Sequence, residues 1–215
     1  MAGQRLVYLV RHGATDWNQA GRIQGQLDVP LNAEGRAQAQ LVAQRLVSVE
    51  ATALYSSDLL RAYETAQIIG QATGLPVIQK PGLREMHFGT WQGLTVQQIR
   101  ERDPEVYAAR RANPYEVPPP GGQPWQQFYQ QAVHALHDIL QETAAQRLIV
   151  ATHSGVCTVL GLEALGLGYT GKRTFGNANC AIHMIAVEEG RWLAVALNDV
   201  SHLPPDASAN ADTRR

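Results

Sequence analysis

The stretch Leu6-Val7-Tyr8-Leu9-Val10-Arg11-His12-Gly13 joins a continuous apolar run to a cation, an imidazole and a glycine. Uninterrupted β-branched and aromatic residues are typical of a strand that is buried on both faces of a sheet. The chain repeats this pattern once, where Arg147-Leu148-Ile149-Val150-Ala151 runs into Thr152-His153-Ser154-Gly155. The two stretches predict central strands of one sheet, each with polar groups at its carboxyl end.

Outward from these stretches, strand and helix patterns alternate along the chain. Helical spacing predicts helices from Asn32 to about Ser48, from Ser57 or Asp58 past Ile69, from Trp125 to about Thr143, and over Val156–Leu165. Further strands are expected at 53–55, 76–79, 181–187 and 192–197. Such alternation favours right-handed βαβ units and a mostly parallel sheet that is covered on both faces.

In three segments the apolar residues do not recur at a regular spacing. Residues 13–31 and 82–94 are predicted to be loops, and the second carries unusually many large side chains. Residues 103–122 are rich in proline and glycine, which excludes a continuous helix or strand, so this segment is a candidate lid. We expect one domain over residues 1–203, with a lid-like insertion near 103–122 and a disordered tail at 204–215.

Composition bounds the class of protein. The 215 residues are 45% apolar and 17% charged, which suits a chain that folds alone around one core. The formal charge of -1 offers no field for nucleic acid or an anionic membrane. Cys157 and Cys180 form no motif for a disulfide scaffold or a zinc site, which fits a reducing cytoplasm. The five apolar residues before Arg11 are too few for a signal segment or a membrane span.

Two histidines are candidates for chemistry because each directly follows a buried strand. Ligands of open α/β sheets collect at the carboxyl ends of the strands, so His12 and His153 are expected to be neighbours. Arg11 disfavours protonation of His12 and supplies a planar fork for an anion. The pair therefore predicts an anion binder beside a neutral imidazole nucleophile. The same cation disfavours a metal ion.

Arg61 and Glu85 are the other two candidates. Arg61 falls in the first turn of a predicted helix, where the helix dipole disfavours a cation by roughly 0.3–1 kcal/mol. An anion bound between this side chain and the free backbone N–H groups would explain it. Glu85 is the acid of the loop 82–94, and this loop could fold over the strand ends and prepare the carboxyl for proton transfer.

The chain resembles the histidine phosphatase superfamily, the phosphoglycerate mutase-like proteins, in five motifs. They are Arg11-His12-Gly13-Ala14-Thr15-Asp16-Trp17-Asn18, residues 21–25 with 30–35, Ser56 to Ala66, Leu83 to Gly93, and Val150 to Gly155. The resemblance implies a phosphoglycerate mutase-like fold, namely a three-layer α/β/α sandwich around a mostly parallel mixed sheet. It also implies phosphoryl transfer through a phosphohistidine, without a metal or another cofactor.

The resemblance assigns a role to each candidate. His12 would be the nucleophile, and Glu85 would be the general acid that later becomes the base for water. Arg11, Arg61 and His153 would hold the phosphoryl oxygens. The substrate-binding positions would be Asn18, Gln24, Gly25 and Ser154.

The length of the chain favours the phosphatase branch, because the related mutases carry extra sequence in the lid region. The substrate would then be a small phosphorylated metabolite. Met86 also stands where those mutases usually have an arginine. Arg110-Arg111 keeps open a mutase that depends on 2,3-bisphosphoglycerate. A phospho-ligand-binding pseudoenzyme is the third hypothesis. The sequence does not decide the substrate or the oligomeric state, for which a homodimer is one candidate.

Three features depart from these assignments or compete with them. Many phosphatase relatives have Glu-Ser where this chain has Gln123-Pro124, so a role of that glutamate would be lost or reassigned here. His134 and His137 have the spacing of a metal pair on a helix, but they fall opposite its apolar face and are expected to be exposed. His183 lies in a predicted strand and is expected to be packed or to face an edge.

Overall fold

The computed structural model describes residues 4–170 and 172–205, and in this part of the chain six strands form one sheet. The strands are β1 (Arg5–Arg11), β2 (Ala53–Ser56), β3 (Val77–Gln79), β4 (Arg147–Thr152), β5 (Ile182–Glu188) and β6 (Arg191–Asp199). Their order across the sheet is β3-β2-β4-β1-β5-β6. The pairs β3/β2, β2/β4 and β4/β1 are parallel, whereas β1/β5 and β5/β6 are antiparallel. The expected mostly parallel mixed sheet is confirmed.

Helices cover both faces of this sheet. In the described residues they are α1 (Asp16–Gln19), α2 (Ala33–Val47), α3 (Leu60–Thr73), α4 (Val96–Arg102), α5 (Pro104–Ala112), α6 (Trp125–Glu142) and α7 (Ser154–Ala164). Alternate strand residues point to opposite faces. Val10 and Ile149 therefore pack with α2 and α3, whereas Leu9 and Val150 pack with α6 and α7. The three-layer α/β/α arrangement follows from these two apolar clusters.

The register of β1 and β4 decides where the polar groups lie. Arg11 is aligned with Thr152, so the residues that follow the two strands leave the sheet at the same level. The backbone N–H of His12 donates to the Thr152 carbonyl at 2.8 Å. His12 and His153 are thereby placed side by side.

The strongly periodic helices lie close to where the spacing predicts them, but α7 begins two residues earlier than expected and the start of α3 is capped differently. We expected Ser57 or Asp58 to cap this helix, but its N-cap residue is Leu59, which has no capping side chain. The carboxylate of Asp28, on a distant loop, accepts the N–H of Leu60 at 2.9 Å instead. Asp58 is engaged elsewhere, in an ion pair with Arg84.

The three segments without a period contain short helices that sequence periodicity did not reveal. Thr15 caps α1 within residues 13–31, and the loop 82–94 includes a 3₁₀ turn at Gly89–Trp91. The absence of a continuous element through 103–122 is correct, yet α5 fills its first half. Pro104 stands in the first turn of α5, where a missing N–H costs no helical hydrogen bond.

The expected tail is largely untested, because residues 206–215 lie outside the described part of the chain. Among the residues described, no helix combines the length and the apolar character that crossing a membrane requires.

Candidate active site

The two ring nitrogens of His12 have different partners. Its Nδ1 lies 2.8 Å from the carbonyl oxygen of Gly13, which can only accept, so the proton resides on Nδ1. Arg61 Nε donates to the other nitrogen, Nε2, at 3.2 Å. Burial, followed by the charges of Arg61 and Arg11, holds the pKa of His12 well below its usual value. The imidazole is therefore neutral, and its Nε2 carries a lone pair that accepts the hydrogen bond from Arg61.

Arg61 is a buried cation that backbone carbonyls hold in place. Its side chain is 1% exposed, and its Nη1 and Nη2 donate to the carbonyls of Leu27 (2.9 Å) and Gly25 (2.7 Å). Burial lowers the pKa of Arg61 to about 10, which leaves the guanidinium charged at neutral pH. The structure thus keeps a positive charge against His12 Nε2, where an anion would offset it.

His153 packs against His12, with ring centroids 5.3 Å apart and planes inclined by 59°. Ser57 Oγ accepts the N–H of Leu59 at 3.3 Å and lies 2.8 Å from His153 Nε2. Donation of its hydroxyl hydrogen to Nε2 would place the ring proton on Nδ1. That nitrogen is buried without a hydrogen-bond partner in the described part of the chain. Burial and the charges of Arg61, His12 and Arg11 lower the pKa of His153.

The amino end of α7 holds the carboxylate of Glu85. Glu85 Oε2 accepts the N–H of Gly155 at 3.0 Å, and Oε1 accepts the N–H of Met86 at 2.9 Å. A Cβ at position 155 would lie 2.1 Å from Glu85 Oε1 and 2.9 Å from the Phe128 ring. Glycine at this position therefore allows the acid to approach the helix terminus.

Eight of the nine candidate residues line one cavity of about 160 Å³. They are Arg11, His12, Asn18, Gln24, Gly25, Arg61, Glu85 and Ser154. His153 contacts His12 without lining this cavity. Gln24 Oε1 is buried without a partner in the described structure, so an acceptor group is left unused near the site.

A second cavity, a groove of about 1150 Å³, adjoins the first. Both are lined by Arg11, Asn18, Ile23, Phe88 and Arg110. The groove continues between α1 and the helices α4 and α5, so the first half of the candidate lid forms one of its walls. Arg110 Nη1 donates to the carbonyls of Pro114 and Val117, and its guanidinium lies 6.0 Å from the Phe88 ring centroid.

The loop before β5 supports the site in a way that sequence reasoning missed. Arg11 Nη1 donates to the carbonyl of Asn177, and Asn179 Nδ2 donates to the carbonyl of His12 at 2.9 Å. The N–H of Cys180, a residue with φ of 55°, donates to the Arg11 carbonyl at 3.0 Å. Two asparagines just before a predicted strand were the available signal, but asparagine before a strand is also an ordinary turn residue.

The residues that the sequence offered as alternatives to this site do not line the two cavities. His134 and His137 are exposed, as expected. Gln123 donates to Gln131 Oε1 at 2.9 Å, and its N–H donates to the carbonyl of His87, so it braces the loop 82–94. Within the described ranges, no three His, Cys, Asp or Glu side chains are grouped so that they could hold a metal ion. Both cysteines are free and buried.

Comparisons with known proteins agree with this geometry. The sequence model of the histidine phosphatase superfamily (branch 1) matches residues 7–200. A metal-independent phosphoserine phosphatase of Arabidopsis thaliana is 38% identical over 201 residues, which cover 92% of this chain and 82% of the relative. The "Probable phosphoglycerate mutase GpmB" of Serratia proteamaculans is 34% identical over 206 residues, covering 94% and 96%.

Solved structures agree as well. A mycobacterial glucosyl-3-phosphoglycerate phosphatase in complex with VO3 superposes with a TM-score of 0.83 at 31% identity, covering 90% of this chain and 98% of the other. The phosphoglycerate mutase-like fold expected from the sequence is therefore confirmed. The chain belongs to the histidine phosphatase superfamily, branch 1, and is a phosphatase of that family.

Proposed function

We propose that the protein hydrolyses small phosphomonoesters in two steps, through a phosphohistidine formed on His12. The observation that carries this proposal is the fixed tautomer of His12. The bond from Nδ1 to the Gly13 carbonyl leaves the Nε2 lone pair beside the Arg61 guanidinium, in the cavity that Glu85 also lines. A nucleophile, a cation and an acid thus share one small space.

In the first step, Nε2 attacks phosphorus and the ester P–O bond breaks. The transferring phosphoryl group spreads its charge over three oxygens, so catalysis depends on cationic and hydrogen-bonding groups that are already in place. Arg11 and Arg61 supply the cations, and we assign His153 Nδ1–H, which has no hydrogen-bond partner among the described residues, as a further donor. Protonated Glu85 gives its proton to the leaving alkoxide.

In the second step, the Glu85 carboxylate takes a proton from water as the water oxygen attacks phosphorus. The P–N bond breaks, its electron pair returns to Nε2, and inorganic phosphate leaves. Glu85 ends protonated, ready for the next ester. One carboxyl serves both half-reactions, and we expect each proton transfer to contribute about 10²–10⁴-fold.

The remaining candidate positions complete the pocket. We assign Asn18 and Ser154 as hydrogen-bond donors to the phosphoryl oxygens, and Gln24 and Gly25 as its wall, because all four line the cavity. Gly25 also places its carbonyl on Arg61, and its φ of 52° suits glycine. The adjoining groove would receive the alcohol, with residues 103–122 acting as a lid of a single domain. Two free, buried cysteines fit a cytoplasmic enzyme.

The proposal predicts that the phosphoryl group of a substrate is transferred to His12. Incubation with a ³²P-labelled phosphomonoester, such as O-phosphoserine, should place acid-labile label on the wild-type protein and none on His12→Ala. The exposed His134 provides the matched control, so His134→Ala should label normally. Label that persists in His12→Ala would contradict the assignment.

The relative named as a phosphoglycerate mutase makes the mutase the second candidate. The same preparation therefore receives 3-phosphoglycerate with and without 2,3-bisphosphoglycerate. A hydrolase that accepts 3-phosphoglycerate releases inorganic phosphate in both cases. Formation of 2-phosphoglycerate that requires the bisphosphate, with little phosphate released, would instead identify a mutase.

A further inference from the structure

His183 is a buried histidine that the proposed reaction does not use. It lies on β5, is 0% exposed, and its ring meets Phe175 edge-on. The backbone N–H of Asn198 on β6 points at its Nδ1 across 3.3 Å. Because an N–H group can only donate, Nδ1 must hold the lone pair and Nε2 must carry the proton. The tautomer of His183 is therefore set by the backbone of the neighbouring strand.

An irregularity in the sheet makes this contact available. The pairing of β5 with β6 shifts between Ile182 and Met184, the two neighbours of His183. Asn198 adopts φ of 59°, a left-handed conformation that asparagine tolerates better than most residues. Bulges of this kind re-aim groups near functional sites. Here the bulge directs the backbone N–H of Asn198 at Nδ1 of His183.

Asn177 links His183 to the phosphate cavity. His183 Nε2 lies 3.2 Å from Asn177 Oδ1, so the Nε2 proton is donated to that oxygen. The amide is thereby oriented with Nδ2 toward Ser154, where it donates to the carbonyl at 2.8 Å and to Oγ at 3.2 Å. Since Ser154 Oγ accepts this bond, its own hydrogen is available to the cavity that the residue lines.

The backbone of the same asparagine holds a second group of the site. Its carbonyl accepts a hydrogen bond from Arg11 Nη1. Burial, with the charges of Arg11 and Arg173, lowers the pKa of His183 to about 4, so the ring stays neutral near pH 7. A protonated ring would set its Nδ1 proton against the Asn198 N–H.

We propose that His183 is a positioning residue that acts through the Asn177 amide to orient Ser154 toward the phosphoryl oxygens. The proposal rests on the proposed function only in taking phosphate as the ligand. If His183 no longer donates from Nε2, Asn177 Oδ1 loses the hydrogen bond that turns it away from Ser154. The amide could then rotate, accept the serine hydrogen and withdraw it from the phosphate.

The test compares His183→Leu with His183→Gln. Leucine removes the donor, whereas the glutamine amide can supply one near the Nε2 position. We expect His183→Leu to weaken binding of inorganic phosphate, measured by calorimetry, by about tenfold or more, and to lower kcat/KM for a phosphomonoester at least as much. His183→Gln should restore most of both. His202→Leu is the matched control, because it removes a histidine bond to the Cys180 carbonyl and should stay within about twofold of wild type.

A double variant separates this role from general destabilisation. In a Ser154→Ala background, His183→Leu should cost much less phosphate affinity than it does in the wild type, because the two changes affect one interaction. Losses that multiply would overturn the proposal, and so would a folded His183→Gln that loses as much as leucine. If His183→Leu does not fold, Asn177→Ala takes its place, and unchanged phosphate affinity there overturns the proposal. Phosphate binding is read without turnover, so an inactive protein would refute the proposed function and leave this test intact.

Discussion

At the scale of single residues, backbone groups decide the chemistry of the site. The Gly13 carbonyl sets the proton of His12, two loop carbonyls hold Arg61, and two N–H groups hold Glu85. Backbone groups are less free to rearrange than side chains, so the site is organised before the substrate arrives. Such preorganisation is what electrostatic catalysis requires.

Glu85 provides a test at this scale. Glu85→Gln cannot protonate a leaving alkoxide, so kcat/KM for an alkyl phosphate should fall about 100-fold or more. Phosphoenzyme formation from p-nitrophenyl phosphate should fall far less, because that phenolate leaves without a proton. Rapid-quench kinetics should show a burst of p-nitrophenol followed by slow turnover, since water has lost its base.

The control for this prediction is Glu50→Gln, which neutralises an exposed glutamate paired with Arg147 and should leave the kinetics unchanged. Equal slowing of alkyl and aryl substrates, without trapped phosphoenzyme, would show that Glu85 only positions the substrate. The proton would then come from another residue, such as His87.

Single residues also show where prediction from sequence stops. Arg11 and His12 were proposed because they directly follow a buried strand, and Arg61 because it opposes the helix dipole. Glu85 was proposed as the acid of the loop 82–94. Ser57, Asn177 and Asn179 were not proposed for the site, because their partners lie far away in sequence. Only the folded chain brings them to the site.

At the scale of elements, the helix that follows β4 sets the position of the acid. The terminal N–H groups of α7 attract a carboxylate, and Gly155 leaves room for it. The sequence predicted the start of this helix two residues too late, at Val156. It therefore did not reveal that Ser154 and Gly155 belong to the helix terminus.

Gly155→Ala tests this arrangement. The added Cβ would displace the Glu85 carboxyl, so kcat for an alkyl phosphate should fall by about 100-fold, because a misplacement of about 1 Å can cost that much. Affinity for inorganic phosphate should change little. Gly70→Ala in α3 is the matched control, since its Cβ would meet the Leu75 carbonyl oxygen at 2.8 Å, away from the site.

The control variant should lose stability and keep the kcat of the folded protein. Thermal unfolding followed by circular dichroism gives the stability, and steady-state kinetics on both variants give kcat. A Gly155→Ala enzyme with wild-type kcat would show that the acid does not depend on this contact.

The short helices show what periodicity cannot detect. α1 and α4 span only 4 and 7 residues, too few to establish an apolar period. Their signals were local capping boxes, Thr15 with Asn18 and Thr95 with Gln98. The start of α3 had no such signal, because its cap comes from Asp28, 32 positions away.

At the scale of the whole molecule, the site is cationic although the chain is not. The formal charge is -1, yet Arg11 at the end of β1 and Arg61 in the first turn of α3 are both buried beside His12. A globally neutral molecule attracts anions only weakly from a distance. Substrate capture therefore depends on the local field of the cavity.

This arrangement predicts catalysis without a metal ion. Phosphatase activity should survive exhaustive treatment with EDTA, because the arginines and histidines supply the stabilisation that a metal would otherwise supply. A metal-dependent phosphatase treated in parallel confirms that the chelation worked. Loss of activity that only zinc or manganese restores would contradict the prediction.

The loop that supports Arg11 and His12 has a consequence for the synthesis of the protein. Asn179 lies 167 positions after His12, and Asn177 lies 166 positions after Arg11, so the carboxyl end of β1 is supported by a loop that is translated much later. While the ribosome has not yet released residues 177–179, Arg11 and His12 lack these hydrogen bonds. The supported form of the site therefore forms only after this loop has joined the folded chain.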